Sequence, residues 1–139
     1  MDKMDQILAL ADELVERAEK VLQEAKKDYG NTLQEDLDAL DAAVASDDRE
    51  KVVNMAYQIK GRAGTLGWPL VSAAANALAK LLERCPDMAL DEESVAVHTD
   101  TLALLFRDGM DGEDPRGQPL VRALYKIVEK ESGGEEQTA

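Results

Sequence analysis

Aromatic residues, cysteine and histidine are scarce in this chain, and their scarcity excludes several kinds of site. Its 139 residues include one Phe, one Trp, three Tyr, one Cys and one His. Cys85 alone cannot form an intramolecular disulfide or a thiolate metal cluster, and His98 alone cannot supply the paired Glu-x-x-His elements of a di-iron bundle. No apolar segment is long enough to span a membrane, and no apolar N-terminal region resembles a secretion signal. We therefore expect no cofactor, no metal site, no membrane partner and a cytoplasmic location.

Basic residues are also outnumbered, with 16 Lys and Arg against 29 Asp and Glu and a formal net charge of −13. A field of this sign repels phosphate backbones and anionic lipids, and no basic stripe interrupts it. We therefore expect no nucleic-acid partner. The acidic surface is best interpreted as a solvated one that keeps the protein soluble.

The abundant residues, chiefly Ala, Leu, Glu and Lys, are those that cost least in a helix. Hydrophobic residues make up 45% of the chain, and runs of β-branched residues bounded by turns are missing. Apolar residues recur at helical spacing in about six segments, which we predict to be helices: residues 4–28, 32–46, 48–66, 69–84, 91–108 and 118–131. Short connections between such segments are typical of an antiparallel, up-down helical bundle. The sequence thus predicts an all-α domain over residues 1–131, followed by a polar, disordered tail at 132–139.

Three short segments set the boundaries of these helices. Tyr29-Gly30-Asn31 is predicted to end the first helix, since Gly is the usual residue just beyond a helix end. Ser46 or Asp47 is expected to cap the third helix. Gly67-Trp68-Pro69 is expected to form a turn or sharp bend, because Pro fits the first turn of a new helix better than the middle of an old one.

The first predicted helix has an apolar stripe of its own. Its members are Ile7, Leu8, Ala11, Leu14, Val15, Ala18, Val21, Leu22 and Ala25. This spacing resembles a heptad repeat, which suits an interaction helix and equally suits packing across a bundle. We favour a monomer from the sequence, with a helical scaffold or oligomerisation protein as an alternative.

The helix predicted at 48–66 has two distinct faces. The core stripe consists of Val52, Ala56, Ile59, Ala63 and Leu66. The opposite face carries Asn54, Tyr57, Lys60, Gly61, Gly64 and Thr65. A glycine inside a helix costs ~1 kcal/mol relative to Ala. Two of them on one face therefore indicate a close approach, either by a partner protein or by a neighbouring helix of the same bundle.

The segment at 56–67, Ala-Tyr-Gln-Ile-Lys-Gly-Arg-Ala-Gly-Thr-Leu-Gly, resembles the signature helix of histidine-phosphotransfer (Hpt) domains, which are helical bundles. In words, that signature is His, any residue, Leu, Lys, Gly, any residue, Ala or Ser, then a small residue and a closing Leu-Gly or Phe-Gly. Ile59, Lys60-Gly61 and Leu66-Gly67 match it. Trp68-Pro69-Leu70 resembles the continuation in some members. The position of the phosphorylated histidine holds Tyr57.

The resemblance implies that Tyr57 replaces the phosphoryl acceptor. In the family a neutral imidazole nitrogen attacks an aspartyl phosphate and later passes the phosphoryl group onward. A phenol has a pKa of about 10 and is a poor nucleophile without an activating base. Its phosphate ester also lacks the transfer potential of a phosphorus–nitrogen bond. We therefore expect a pseudo-phosphotransfer protein of two-component signalling, not an enzyme, that binds a response-regulator receiver domain or a sensor histidine kinase.

The predicted partner-binding residues are Asn54, Tyr57, Gln58, Lys60, Gly61, Arg62, Gly64 and Thr65. The resemblance gives Lys60 a role, because the matching lysine in the family lies beside the phosphohistidine. Here Lys60 is expected to serve a partner's acidic pocket or to contact the ring of Tyr57. The alternative function is an active phosphotransfer protein that uses another residue such as His98. Because His98 shares a stripe with Val95 and Leu102, we expect it instead to be buried and hydrogen-bonded.

Overall fold

Helices make up most of the chain in the computed structural model, which describes residues 2–110 and 112–134. They are α1 (Lys3–Ala45), α2 (Arg49–Thr65), α3 (Pro69–Arg84), α4 (Glu93–Arg107) and α5 (Gly117–Glu129), and a π-helical turn follows at Lys130–Gly134. No strand occurs within the described ranges. The predicted all-α class and helical bundle are confirmed.

α3 lies at the centre of the bundle, in contact with α2, α4 and α5. Its buried residues are Leu70, Val71, Ala74, Ala75, Ala77, Leu78, Ala79, Leu81 and Leu82. α2 contributes Val52, Ala56, Ile59 and Ala63, all fully buried. The core stripe predicted for α2 therefore packs inward, apart from Leu66, which is only half-buried. This packing leaves the opposite face of α2 directed away from the core.

The prediction that Tyr29-Gly30-Asn31 ends the first helix was wrong. α1 runs unbroken through this segment, so the helices predicted at 4–28 and 32–46 are one, and the described residues contain five α-helices instead of about six. The physical reason is tertiary packing. Tyr29 and Leu33 are buried on one face of α1. Removing them from the core would cost more than the ~1 kcal/mol of one interior glycine.

Gly67-Trp68-Pro69 forms the predicted turn between α2 and α3. Gly67 has a φ of +91°, and the N–H of Trp68 donates to the carbonyl of Ala63 over 2.8 Å. This is the Schellman arrangement of a helix C-terminus. Pro69 then occupies the first turn of α3, where its missing N–H is not needed. The turn sets α2 and α3 side by side and determines which residues of α3 lie next to the outward face of α2.

An arginine at the start of α2 satisfies the end of α3. The guanidinium of Arg49 donates to the carbonyls of Leu82, Cys85 and Met88 at 2.7, 2.7 and 2.5 Å. The last carbonyls of a helix have no partner within it, so these bonds hold the two helix ends together. This contact was not predicted from the sequence, although a cation in the first turn of a helix is unfavourable and therefore unusual.

The remaining helix ends lie within two residues of those predicted from the sequence. At the start of α2 the capping side chain is Asp48, which accepts from the N–H of Lys51 over 3.2 Å; the expectation of Ser46 or Asp47 was wrong. Of the predicted tail, residues 132–134 belong to the π-helical turn, whereas 135–139 lie outside the described residues. None of the helices in the described part of the chain is both long enough and apolar enough to cross a membrane.

Candidate functional site

The face of α2 that points away from the core is accessible along most of its length. Seven of the eight predicted partner-binding residues are exposed, and Lys60 is half-buried. The exposed ones are Asn54, Tyr57, Gln58, Gly61, Arg62, Gly64 and Thr65. The structure therefore places the whole predicted set on one side of one helix, here called the α2 surface.

Tyr57 lies midway along the α2 surface, with 37% of its area exposed. Its hydroxyl donates a hydrogen bond to the carboxylate of Glu83 on α3. The Nζ of Lys60 lies 5.6 Å from the centroid of the Tyr57 ring, within the range of a cation–π contact. Of the two contacts expected for Lys60, the one with the Tyr57 ring is present.

The bond to Glu83 disfavours ionisation of Tyr57. This hydrogen bond, followed by partial desolvation and by the charge of Glu83, raises the pKa of Tyr57 above its ordinary value of 10.0. A glutamate carboxylate is normally about six pKa units less basic than a phenolate, so the shared proton rests on the phenol. Tyr57 and Glu83 therefore form a hydrogen-bonded pair in which the phenol keeps its proton at neutral pH.

The two glycines of the α2 surface have different surroundings. A Cβ added to Gly61 would have no atom within 4 Å, whereas one added to Gly64 would lie 3.0 Å from the Oγ of Ser72 on α3. That Oγ donates to the carbonyl of Lys60 over 2.7 Å. Gly64 therefore admits a neighbouring helix of the same bundle, and Gly61 leaves bare backbone facing solvent.

Two other residues of the α2 surface are engaged within the protein. The guanidinium of Arg62 lies 3.6 Å from the carboxylate of Asp36 on α1, and the hydroxyl of Thr65 donates to the carbonyl of Gly61 over 3.0 Å. The side chain of Arg62 is 53% exposed, whereas that of Asp36 is 13% exposed. Arg62 thus marks the α1 side of the surface, and Tyr57 with Lys60 marks the α3 side.

A groove of about 520 Å³ opens beside the α2 surface, between α2 and α3. Asn54 and Glu83 border it, and Val53, Leu82 and Pro86 supply apolar contacts. The groove lies one helical turn from Tyr57, since Asn54 precedes Tyr57 by three residues. The site therefore consists of an aromatic ring, a lysine and bare backbone next to an apolar groove.

His98 is fully buried in α4, as predicted. Its Nδ1 lies 2.6 Å from the carbonyl of Ser94. Burial lowers the pKa of His98, and hydrogen bonds to the backbone of Ser94 and Leu124 oppose that shift. A side chain with no accessible surface cannot meet the aspartyl phosphate of another protein.

A family model, the Hpt domain, matches residues 24–112, which is more than half of the chain and includes α2, α3 and α4. The chain belongs to the Hpt family. No curated protein and no solved structure gives a significant match. Hpt domains are phosphorelay modules that interact with receiver domains and sensor kinases, so membership implies a part in phosphorelay signalling.

Two residues of this Hpt site were missed from the sequence. Glu83, which holds the hydroxyl of Tyr57, and Ser72, which approaches Gly64, both come from α3. The available signal was the turn at Gly67-Trp68-Pro69, because a tight turn between two helices sets them side by side. Tyr57 and the C-terminal half of α3 lie at similar distances along the chain from that turn. The two could therefore have been predicted to be neighbours. The turn would not have selected Glu83 from its neighbours.

Proposed function

We propose that this protein is a pseudo-phosphotransfer member of the Hpt family that binds receiver domains through the α2 surface without accepting phosphate. A sensor kinase that uses the same docking surface is a second partner of this kind. The site of action in this proposal is the cytoplasm. The observation that carries the proposal is Tyr57, which stands at the acceptor position of the motif and is accessible on an intact helical face.

Three features of the α2 surface support docking. Gly61 presents backbone that a partner can approach closely, because no atom lies within 4 Å of its missing Cβ. The ring of Tyr57 is partly exposed and can enter a pocket shaped for an imidazole. Lys60 supplies positive charge next to that ring, which suits the acidic phosphorylation pocket expected of a receiver.

The chemistry of Tyr57 supports binding without relay. The bond to Glu83 raises the pKa of Tyr57, so the phenol keeps its proton at neutral pH. A phosphate ester on this oxygen would also lack the transfer potential of a phosphorus–nitrogen bond. His98, the alternative acceptor, has no accessible surface. A protein of this design would occupy a receiver's docking face and compete with active Hpt proteins for it.

Gly61→Trp tests the proposal. The added ring fills open space outside the fold, so we expect the helix content to be unchanged and binding to a purified receiver domain to fall at least tenfold. The matched control is Ala123→Trp, since Ala123 is exposed on α5, a helix that packs on α3 and α4 and not on α2. The probes are the purified receiver domains of the source organism, titrated by calorimetry.

The expected result is one or more receivers that bind the wild type and Ala123→Trp equally and Gly61→Trp weakly. Equal binding of all three proteins would contradict docking through the α2 surface. Failure of every receiver and sensor kinase to bind the wild type would contradict the proposal as a whole.

A further inference from the structure

The first half of α1 carries large apolar side chains that the described part of the protein leaves uncovered. Every residue from 2 to 24 is exposed. Seven large apolar residues there form what we call the α1 stripe, and each is 51% to 69% exposed: Met4, Ile7, Leu8, Leu14, Val15, Val21 and Leu22. The sequence left open whether this segment packs across the bundle. In the described structure it does not.

The α1 stripe is continuous with the face of α1 that enters the core. Val15, Leu22, Tyr29, Asp36 and Ala43 are spaced seven residues apart and lie in one row on the helix. The first two are exposed and the last three are buried. The bundle thus covers one half of a single apolar face, and the uncovered half extends about 33 Å beyond it.

We propose that a second copy of this chain covers the α1 stripe, by antiparallel pairing of the two N-terminal halves of α1. The spacing of Met4, Leu8, Ala11, Val15, Ala18, Leu22 and Ala25 alternates between four and three residues, which is the pattern of a coiled-coil seam. Ile7, Leu14 and Val21 widen the seam on one side. A seam of this spacing fits another helix that bears the same spacing.

The uncovered area is sufficient for a dimer. A side chain of this size carries roughly 60–120 Å² of apolar surface. Seven side chains, each exposed by half to two-thirds, leave roughly 400 Å² per chain and 800 Å² per pair. The adjoining alanines and the stems of the charged residues bring the total to the ~1,000 Å² that a specific interface requires.

The charges along α1 favour the antiparallel direction. Residues 2–16 contain five acidic residues and one lysine, whereas residues 17–27 contain four basic residues and two acidic ones. In the antiparallel register that brings Met4 next to Leu22, residues 2–9 of each chain, with Asp2 and Asp5, face residues 17–24 of the other, with Arg17 and Lys20. Parallel pairing would place Asp2 and Asp5 of one chain against those of the other, whereas residues 10–16 face their own counterparts in both directions. Complementary charges determine direction and partner choice at such seams.

The bundle excludes the parallel direction as well. Tyr29 and Leu33, on the same side of α1 as the stripe, are already buried in the bundle, in which α1 packs on α2 and α4. A parallel partner helix would run into those helices. An antiparallel partner ends at its own N-terminus at about this level, so the two bundles lie at opposite ends of the paired helices. At that separation their net charges are screened by physiological salt.

The α1 stripe and the α2 surface are separate parts of the molecule, so dimerisation and receiver docking are independent. The family match begins at residue 24, after the α1 stripe, and the receiver-docking proposal uses α2. A variant that no longer dimerises can therefore still be tested for receiver binding, and a variant that no longer binds receivers can still be tested for dimerisation.

Solution mass tests the pairing with a matched pair of variants. Ala11 lies in the seam and Ala9 on the opposite side of α1, and both are exposed. At tens of micromolar we expect twice the mass of one chain for the wild type and for Ala9→Glu, and half that value for Ala11→Glu. A monomeric wild type would overturn the proposal, as would a dimer that survives Ala11→Glu.

Disulfide trapping tests the direction, in a Cys85→Ser background whose dimeric mass is verified first. A mixture of Met4→Cys chains with Leu22→Cys chains is expected to give the mixed disulfide dimer, because antiparallel pairing brings these positions together. Met4→Cys alone is expected to give none. Efficient Met4→Cys homodimers would show parallel pairing and overturn the antiparallel assignment.

Discussion

Tyr57 contacts a neighbouring helix as well as the next turn of its own helix. Its ring contacts Lys60 on α2, while its hydroxyl is bound to Glu83 on α3. A partner that docks on the α2 surface would therefore meet a neutral aromatic ring with a positive charge beside it. A phosphotransfer histidine provides a nucleophile at this position. Tyr57 instead provides an aromatic ring for contact and a hydroxyl that is already hydrogen-bonded.

The buried imidazole of His98 should make the stability of the protein depend on pH. Burial, its largest influence, lowers the pKa of His98 in the folded protein below the ordinary value of 6.5. The unfolded chain therefore takes up a proton at a higher pH than the folded chain, and the free energy of unfolding falls as the pH drops from about 7 to about 5. Replacing His98 by Gln removes this titration.

Urea unfolding at both pH values measures the effect. We expect the wild type to lose more stability than His98→Gln between the two, whatever their difference at neutral pH. Equal losses would show that the folded protein accommodates an imidazolium at this position.

At the scale of elements, the two glycines of α2 should respond in opposite ways to the same substitution. Gly61→Ala meets open space and gains helix propensity, so we expect it to stabilise the protein by about 0.5–1 kcal/mol. Gly64→Ala brings a Cβ within 3.0 Å of the Ser72 Oγ, which is committed to the carbonyl of Lys60. Displacing that hydroxyl loses a bond worth about 1 kcal/mol, which cancels or reverses the gain.

Denaturant unfolding of the two variants checks this prediction, with Gly61→Ala serving as the control for helix propensity. Gly61→Ala should unfold at a higher denaturant midpoint than the wild type, and Gly64→Ala at the same midpoint or a lower one. Equal stabilisation by both variants would mean that a Cβ at position 64 does not displace the hydroxyl of Ser72 on α3.

Elements whose signals are local were predicted from the sequence, and contacts between distant elements were not. The turn at Gly67-Trp68-Pro69 follows from the conformational preferences of its own residues, and it was predicted correctly. The stop expected at Gly30 was overruled by burial of Tyr29 and Leu33, which depends on helices far along the chain. Glu83 was missed for the same reason, since its contact with Tyr57 spans 26 positions.

At the scale of the whole molecule, the two proposed surfaces occupy different parts of the protein. The α2 surface belongs to the region that matches the Hpt family, and the α1 stripe precedes that region. An antiparallel pair would carry one bundle at each end, with an α2 surface on each. Such a dimer would hold two receivers at once, so the stoichiometry of receiver binding follows from the oligomeric state.

If this protein keeps an Hpt docking surface in which only the acceptor is replaced, transfer of labelled phosphate will distinguish the wild type from Tyr57→His. A receiver domain that binds the protein is phosphorylated on its aspartate with radioactive phosphate and mixed with the wild type or with Tyr57→His. Lys60, Gly61 and Glu83 already surround the substituted position. We expect acid-labile label on Tyr57→His and none on the wild type. Label on the wild-type chain, or none on Tyr57→His, would contradict a docking surface that lacks only its phosphoryl acceptor.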